Sequence, residues 1–388
     1  MNVLSALLLL ASASEQLPDG PRLVLVPSNV GAAAVHIRFA VPDDAEEEAT
    51  GRIFQASQAV TLANGALPRT WATDLFAGSA QMRTGSSRED LRFSLTAAPE
   101  SFDALFATFV TAIFKSKLSA ERFKKLEGHI PTQRTSMTSS GLLINAFAGR
   151  PLPAFPLKNR LLEFESVAGF VKRVVRPGNA TIIVTGRFDE KAVRAVLAAF
   201  TGGAPIVNVH RPPKPSEGLF TGADDLYVVI YGFEQPTPEL EASLLILQEL
   251  LSASLLEVLR SAGATYSIDI VIHRLEGLTC LMWVVPSRDN SKLDLLPYID
   301  RILEGLMKTD EREAFALAKG QVQKRLARAA LSPDALVEGV DEGAINVEWL
   351  TPEFARVIRE TTLPAIQRAP PLHREDRTVW RLVPKEGR

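Results

Sequence analysis

Asp225-Leu-Tyr-Val-Val-Ile-Tyr-Gly-Phe233, then Glu-Gln-Pro-Thr237-Pro238-Glu239 and a Leu-rich run to about Ala262, is where the chain starts over. The first nine residues are dense in β-branched and aromatic side chains, the composition of a strand. Thr237 can cap a helix, Pro238 suits its first position, and Glu239 favours the positive end of its dipole. Strand-like runs follow at Thr265–His273 and Thr279–Val285, then helical patterns at about 290–308 and 311–330. A less regular segment, a helix at 352–361 and a strand at Arg377–Val383 complete this half.

The first half shows the same order. Arg22–Val26 and Ala34–Ala40 read as strands, 46–63 as a helix, and Trp71–Arg83 and Leu91–Ala97 as strand-like runs around Gly85-Ser-Ser87. Pro99 opens a helix to about Lys117, and Ser119 caps another that Pro131 ends. After a polar loop at 132–140 come a helix at 163–175, a strand at Asn179–Thr185 and a helix at Asp189–Phe200. The expected fold class is therefore α+β: two homologous domains, each a mostly antiparallel sheet packed with helices. The expected domains are 16–204 and 225–388, joined by a Gly- and Pro-rich linker at 205–224.

At 388 residues, with 46% apolar and 23% charged side chains, the chain can bury two cores. A formal charge of −2 excludes the strongly basic class that binds nucleic acid, and Lys124-Lys125 and Lys172-Arg173 read as solvated helix faces. Residues 1–13 form an apolar run, too short to span a bilayer, that ends in Ala11-Ser12-Ala13. This suits a signal peptide over 1–15 and a periplasmic or otherwise exported protein. The run lacks Lys or Arg, and a first helix or strand of a cytoplasmic protein is the other reading. No later segment is long and apolar enough for a membrane helix. Cys280, the single cysteine, lies in a strand-like run and reads as a buried small hydrophobe.

Three passages carry a family resemblance: Leu17-Pro-Asp-Gly-Pro-Arg-Leu-Val-Leu-Val-Pro27, Arg176-Pro-Gly-Asn-Ala-Thr-Ile-Ile-Val-Thr-Gly-Arg-Phe-Asp189, and Leu259-Arg-Ser-Ala-Gly-Ala-Thr-Tyr-Ser267. With the element order, they resemble the insulinase/pitrilysin metallopeptidases, the inverted zincins with an H-x-x-E-H helix. The resemblance runs from about residue 17 to 386 and is nearest to short bacterial members, whose two domains face each other as a clamshell.

The family's zinc helix presents two His at i and i+4 and a Glu general base between them. The resemblance places these at Phe54, Ser57 and Gln58, none of which offers zinc chemistry. Phe has no donor atom, Ser no carboxylate, and a Gln amide is a poor ligand. The family's third ligand, a Glu on a later helix, falls at Gly128, with Glu127 turned about 100° away around a helix. The five histidines, His36, His129, His210, His273 and His373, are scattered, and no other cofactor motif is present. The expectation is a chain with no zinc, no cofactor and no catalysis of its own.

In the family, an Arg and a Tyr near the second-domain glycine turn hold the substrate backbone. Arg260 and Tyr266 occupy those places, on a turn one residue shorter than usual. The alternative is that Arg260 only ends its helix and Tyr266 only packs in a strand. The resemblance implies a non-catalytic subunit that pairs, as a heterodimer, with a zinc-bearing homologue and lines half of a peptide chamber. The alternative is a structural subunit like the core proteins of respiratory complexes, with no peptide handling.

Overall fold

The computed structural model describes residues 13–29, 31–42, 51–87, 89–129, 133–134, 157–158, 161–208, 217–222, 226–261, 268–275, 278–286, 296–308, 312–341, 345–368, 372 and 376–384. The chain divides into two compact units, each assembled from separate stretches. The first comprises Met1–Arg134, Lys158–Asn208 and Ala327–Pro352; the second comprises Thr135–Leu157, Val209–Leu326 and Glu353–Arg388.

In the first unit, β1 (Ala13–Gln16), β2 (Arg22–Pro27), β3 (Ala33–Ala40), β4 (Gln81–Ser86), β5 (Asp90–Ala97) and, after the short pair β6 (Gln133–Arg134) and β7 (Leu157–Lys158), β8 (Ala180–Gly186) are its strands or border it. Six of them form one sheet in the order β1-β2-β8-β3-β5-β4. Every pairing is antiparallel except β2 with β8, which runs from Arg22↔Thr181 to Pro27↔Gly186. Period-2 burial explains the sheet: Ala33, Val35, Ile37 and Phe39 face the core, while His36 and Arg38 face the other way. The core face is covered by α1 (Arg52–Leu62), α3 (Pro99–Phe114), α5 (Phe164–Val174) and α6 (Glu190–Leu197); α2 (Trp71–Ala77) and α4 (Ala120–Lys124) lie between them in sequence.

The second unit's sheet uses β9 (Glu217–Gly222), β10 (Leu226–Glu234), β11 (Asp269–Leu275), β12 (Leu278–Pro286) and β13 (Arg377–Pro384) in the order β11-β12-β10-β13-β9. This matches β4-β5-β3-β8-β2, and again only the last pair, β13 with β9, is parallel. A shared strand order with the same parallel exception makes the two units copies of one topology. The α+β class of two antiparallel-rich sheets with helices holds. The second unit's helices are α7 (Pro238–Ser261), α8 (Leu296–Lys308) and most of α9 (Arg312–Leu331), then α11 (Pro352–Glu360) and α12 (Leu363–Gln367). Thr237 caps α7 as expected, its Oγ1 accepting from Leu240 N at 3.3 Å.

Three local expectations need correction. Trp71–Arg83 is not one strand: Trp71–Ala77 forms helix α2, and β4 begins only at Gln81. Trp71 and Leu75, one turn apart, turn toward the core, and Thr70 Oγ1 bonds Asp74 Oδ2 at 2.9 Å across the first turn. The expected linker at 205–224 contains β9, paired parallel with β13 from Val379↔Glu217 to Pro384↔Gly222. Its first residues are fastened to the first unit, where Asn208 Nδ2 donates to Val41 O at 2.7 Å. The less regular stretch after α9 contains α10 (Pro333–Asp341) and a 3-10 turn, Val347–Leu350. α10 packs on β3 and β5, and Arg22 pairs with Glu348 at 2.6 Å.

The edge strand β1 falls partly inside the expected 1–15 leader: Ala13–Gln16 pairs with Leu25–Arg22, and Glu15 pairs with Arg194 of α6. Residues 1–12 lie outside the described residues. Among the described residues no helix is long and apolar enough to cross a membrane.

Candidate functional site

α1 is entered through Gly51, whose φ of 72° is in the left-handed region. Ile53, Ala56, Ala59 and Val60 join the core at helical spacing. Polar side chains on the helix bond locally or hold its neighbours. Ser57 Oγ donates to Phe54 O at 2.7 Å, and Thr61 Oγ1 to Gln58 O at 3.1 Å. Gln55, fully buried, accepts from Leu162 N at 2.9 Å, and Thr84 Oγ1 of β4 reaches Ser57 O at 3.4 Å. Asn64, just past the helix, donates to Ala112 O at 2.8 Å and accepts from Ala66 N and Lys117 N.

Of the four positions singled out by sequence, Phe54 and Gln58 are half-buried and Ser57 is buried. Gly128 lies in the 3-10 turn Lys125–His129, which packs against α1. Gly128 and Glu127 are both exposed, and a Cβ on Gly128 would meet nothing within 4 Å. The fold thus brings together the segments bearing all four positions, but the side chains do not fit a zinc ion. Glu127, the acid next to Gly128, is exposed on the turn, and the Ser57 hydroxyl is spent on the helix backbone. Among the described residues no group of three or more His, Cys, Asp or Glu side chains could hold a metal.

Two buried titratable groups sit side by side on the first unit's sheet. His36, on β3, is buried; burial first, then the positive charge of Arg92 and Arg38, lowers its pKa to about 3 against a smaller upward pull from Asp90. For Asp90 burial pushes upward, but the guanidinium groups of Arg38 and Arg92 and the Ser87 hydroxyl hold it well below the usual carboxylate range. Cys280 is buried as expected, and burial pushes its thiol up. His273 is buried on β11; the His129 side chain, His210 and His373 lie outside what is described. Arg260, in the last turn of α7, is exposed, whereas Tyr266 lies outside the described residues.

Comparison with known proteins places this geometry. Residues 162–321 match the family model of the peptidase M16 inactive domain. This stretch is similar to the M16 inactive domain. The insulinase/pitrilysin resemblance read from sequence is to this same peptidase class. The M16 inactive domain of Pseudomonas fluorescens superposes over 97% of this chain and 98% of its own, at 15% identity and a TM-score of 0.72. A protease from Helicobacter pylori does so over 97% and 100%, at 14% identity and 0.73. A chain of complex III2 from Candida albicans covers 95% of each, at 12% and 0.65. At such identities these structures share the M16 fold with this chain. Among curated proteins, none matches it significantly.

The M16 signpost Arg176–Asp189 holds the fold rather than any chemistry. Asn179 is buried; its Nδ2 donates to Ala40 O and Val174 O, both at 2.8 Å, and its Oδ1 accepts from Ile206 N at 2.8 Å. It ties the end of β3, the end of α5 and the 201–208 segment together. A Cβ on Gly178 would stand 1.8 Å from Gly203 O. Gly186 has φ +93° and no room for a Cβ, which would meet Ala32 O at 2.1 Å. Asp189 caps α6, its Oδ1 accepting from Lys191 N at 2.8 Å and Ala192 N at 3.3 Å.

Proposed function

We propose that this chain is a non-catalytic peptidase-like subunit that pairs with a zinc-bearing homologue and contributes part of a peptide-binding chamber. The observation that carries this reading is α1 itself. The helix that would hold the metal is intact and well packed, yet Phe54, Ser57 and Gln58 stand at the ligand and base positions and Gly128 at the third ligand. A chain kept folded after losing its ligands fits a role in which the metal belongs to a partner. The match to a family model for inactive domains supports the same conclusion. In this reading the chain binds no zinc, and Arg260 and Tyr266 hold peptide backbone, Arg through its forked donors and Tyr through its hydroxyl. The apolar run before Ala13 supports export, which would put the pair in the periplasm.

A second reading is favoured by one observation, the likeness to a chain of complex III2 over 95% of both chains. In this reading the present chain serves as a structural subunit and handles no peptide. Co-expression with a zinc-bearing homologue, with and without this chain, tests the first reading. Peptidase activity should require this chain and should drop with Arg260→Ala and Tyr266→Ala. Activity indifferent to the chain sinks the pairing; assembly that tolerates both alanines, with processing unchanged, moves the balance to the structural role.

A further inference from the structure

Asn64-Gly65, just past the end of α1, is the only Asn-Gly pair in the sequence. A glycine in second place leaves its backbone nitrogen unshielded, so in this pair the nitrogen attacks the asparagine side chain most readily. Here the groups that the attack needs are all engaged. Gly65 N, the attacking atom, donates to Lys117 O at 2.7 Å. Asn64 is 1% exposed. Its Nδ2 donates to Ala112 O at 2.8 Å, and its Oδ1 accepts from Ala66 N at 2.9 Å and Lys117 N at 3.0 Å. The backbone is pinned as well. Ser119 N donates to Ala63 O at 3.0 Å, Arg122 Nη1 donates to Asn64 O at 3.0 Å, and Asn64 forms a β-bridge with Leu118. These partners belong to α3, to α4 and to the turn joining them, so this pair docks the end of α1 onto both.

We propose that Asn64 is a modification site gated by conformation: it survives while the end of α1 is docked and becomes aspartate or isoaspartate when that end opens. In the open state Gly65 N gives up its proton and attacks Asn64 Cγ. The new C–N bond closes a succinimide, and the side-chain nitrogen takes up a proton and leaves as ammonia. One water then opens the ring at either carbonyl, giving aspartate, or isoaspartate with the chain running through the side-chain carbon. The change is one-way, and it opposes redocking. A carboxylate at 64 still accepts from Ala66 and Lys117, but it sets an anionic oxygen against Ala112 O, where Nδ2 had donated, in a buried place. Isoaspartate also lengthens the backbone of a turn that is fastened on both sides. The chain thus keeps a covalent record of each opening of this helix end, whether or not it pairs with a homologue.

The test ages the full chain at mildly alkaline pH, with and without urea, and maps its peptides by mass spectrometry with isoaspartyl methyltransferase labelling. Conversion at Asn64 should run at least about tenfold faster in urea, because in native buffer only the open fraction reacts. Gly65→Ala should slow conversion in urea severalfold, since its methyl shields the attacking nitrogen. Arg122→Ala removes the bond to Asn64 O from an exposed side chain, so circular dichroism should show it folded. It should raise conversion in native buffer severalfold and leave the rate in urea unchanged. Asn64→Asp carries the product's charge from the start and should unfold at a lower urea concentration, or fail to accumulate folded chain. Equal conversion with and without urea, or none in urea, overturns the proposal. So does native conversion indifferent to Arg122→Ala, or an Asn64→Asp midpoint equal to that of the parent chain.

Discussion

Ser57 Oγ donates a 2.7 Å hydrogen bond to the carbonyl oxygen of Phe54, three residues back on the same helix. The resemblance read from the sequence would put a general base and a zinc ligand at these two residues. Here they form one turn of a packing helix. Ser57→Ala removes a bond local to the helix, so stability should change by about 1 kcal/mol or less. In a complex with an active homologue, processing should be unaltered by Ser57→Ala. A large loss of activity with normal stability would return a chemical role to this position.

Asn179 makes a contrasting prediction. Its amide satisfies two carbonyls and one N–H from three separate segments in a buried place. Asn179→Ala leaves those groups without their partner and should cost about 3 kcal/mol, read as a lower urea midpoint at unchanged slope. A cost below about 1 kcal/mol would mean that water replaces the amide there.

Gly186→Ala should be worse than an ordinary glycine substitution. The position combines φ +93° with a backbone oxygen 2.1 Å from any Cβ, so strain and a clash act together. The expected outcome is a thermal midpoint lowered by many degrees, or failure to accumulate folded chain. A midpoint equal to wild type would contradict the assigned geometry of the β8 end.

His36 sets an acid limit on stability. Its pKa is lowered in the folded chain to about 3, from an ordinary value near 6.5. Between these values the unfolded chain binds a proton that the folded chain does not, so stability is full above about pH 6.5 and falls as pH drops toward 3. The slope from this group is about 1.4 kcal/mol per pH unit at most. Asp90, held low in the folded chain, acts in the same direction further down, losing its contribution as pH falls below about 4. Urea unfolding at pH 7, 5.5 and 4.5 should show the loss, and His36→Gln should flatten it above pH 4.5. An unchanged slope in the variant would place the acid sensitivity elsewhere.

Most of the element order was legible because period-2 and period-3.6 patterns are strong where one face is buried. β3 and α1 show this, with Ala33, Val35, Ile37 and Phe39 on one and Ile53, Ala56 and Val60 on the other. The parts that were not legible are short or depend on distant partners. α2 spans seven residues, so Trp71 and Leu75 fit a strand reading as well as one helical turn. β9, Glu-Gly-Leu-Phe-Thr-Gly, exists because β13 pairs with it from more than 150 residues away, and its glycines read as linker. The duplicated order contained the signal: β2 precedes β3 in the first unit, so a strand should precede β10 in the second. In the candidate site, Phe54, Ser57, Gln58 and Gly128 were singled out by the family resemblance, and residue chemistry says that none of them suits zinc. The partly exposed line Phe54–Gln58–Leu62 was not legible, because which helix face meets solvent depends on what the fold packs around it. Arg176–Asp189, the strongest family passage, proved to be a knot of hydrogen bonds and tight glycines, a reminder that a specific motif can mark a fold rather than a reaction.

The most direct measurement is metal analysis of the purified full chain after incubation with zinc and removal of free ion. Reading Phe54, Ser57, Gln58 and Gly128 as the counterparts of the family's zinc and base positions, the account predicts far less than one zinc per chain and no peptide hydrolysis by the chain alone. One tightly held zinc per chain, together with hydrolysis that chelation abolishes, would contradict it.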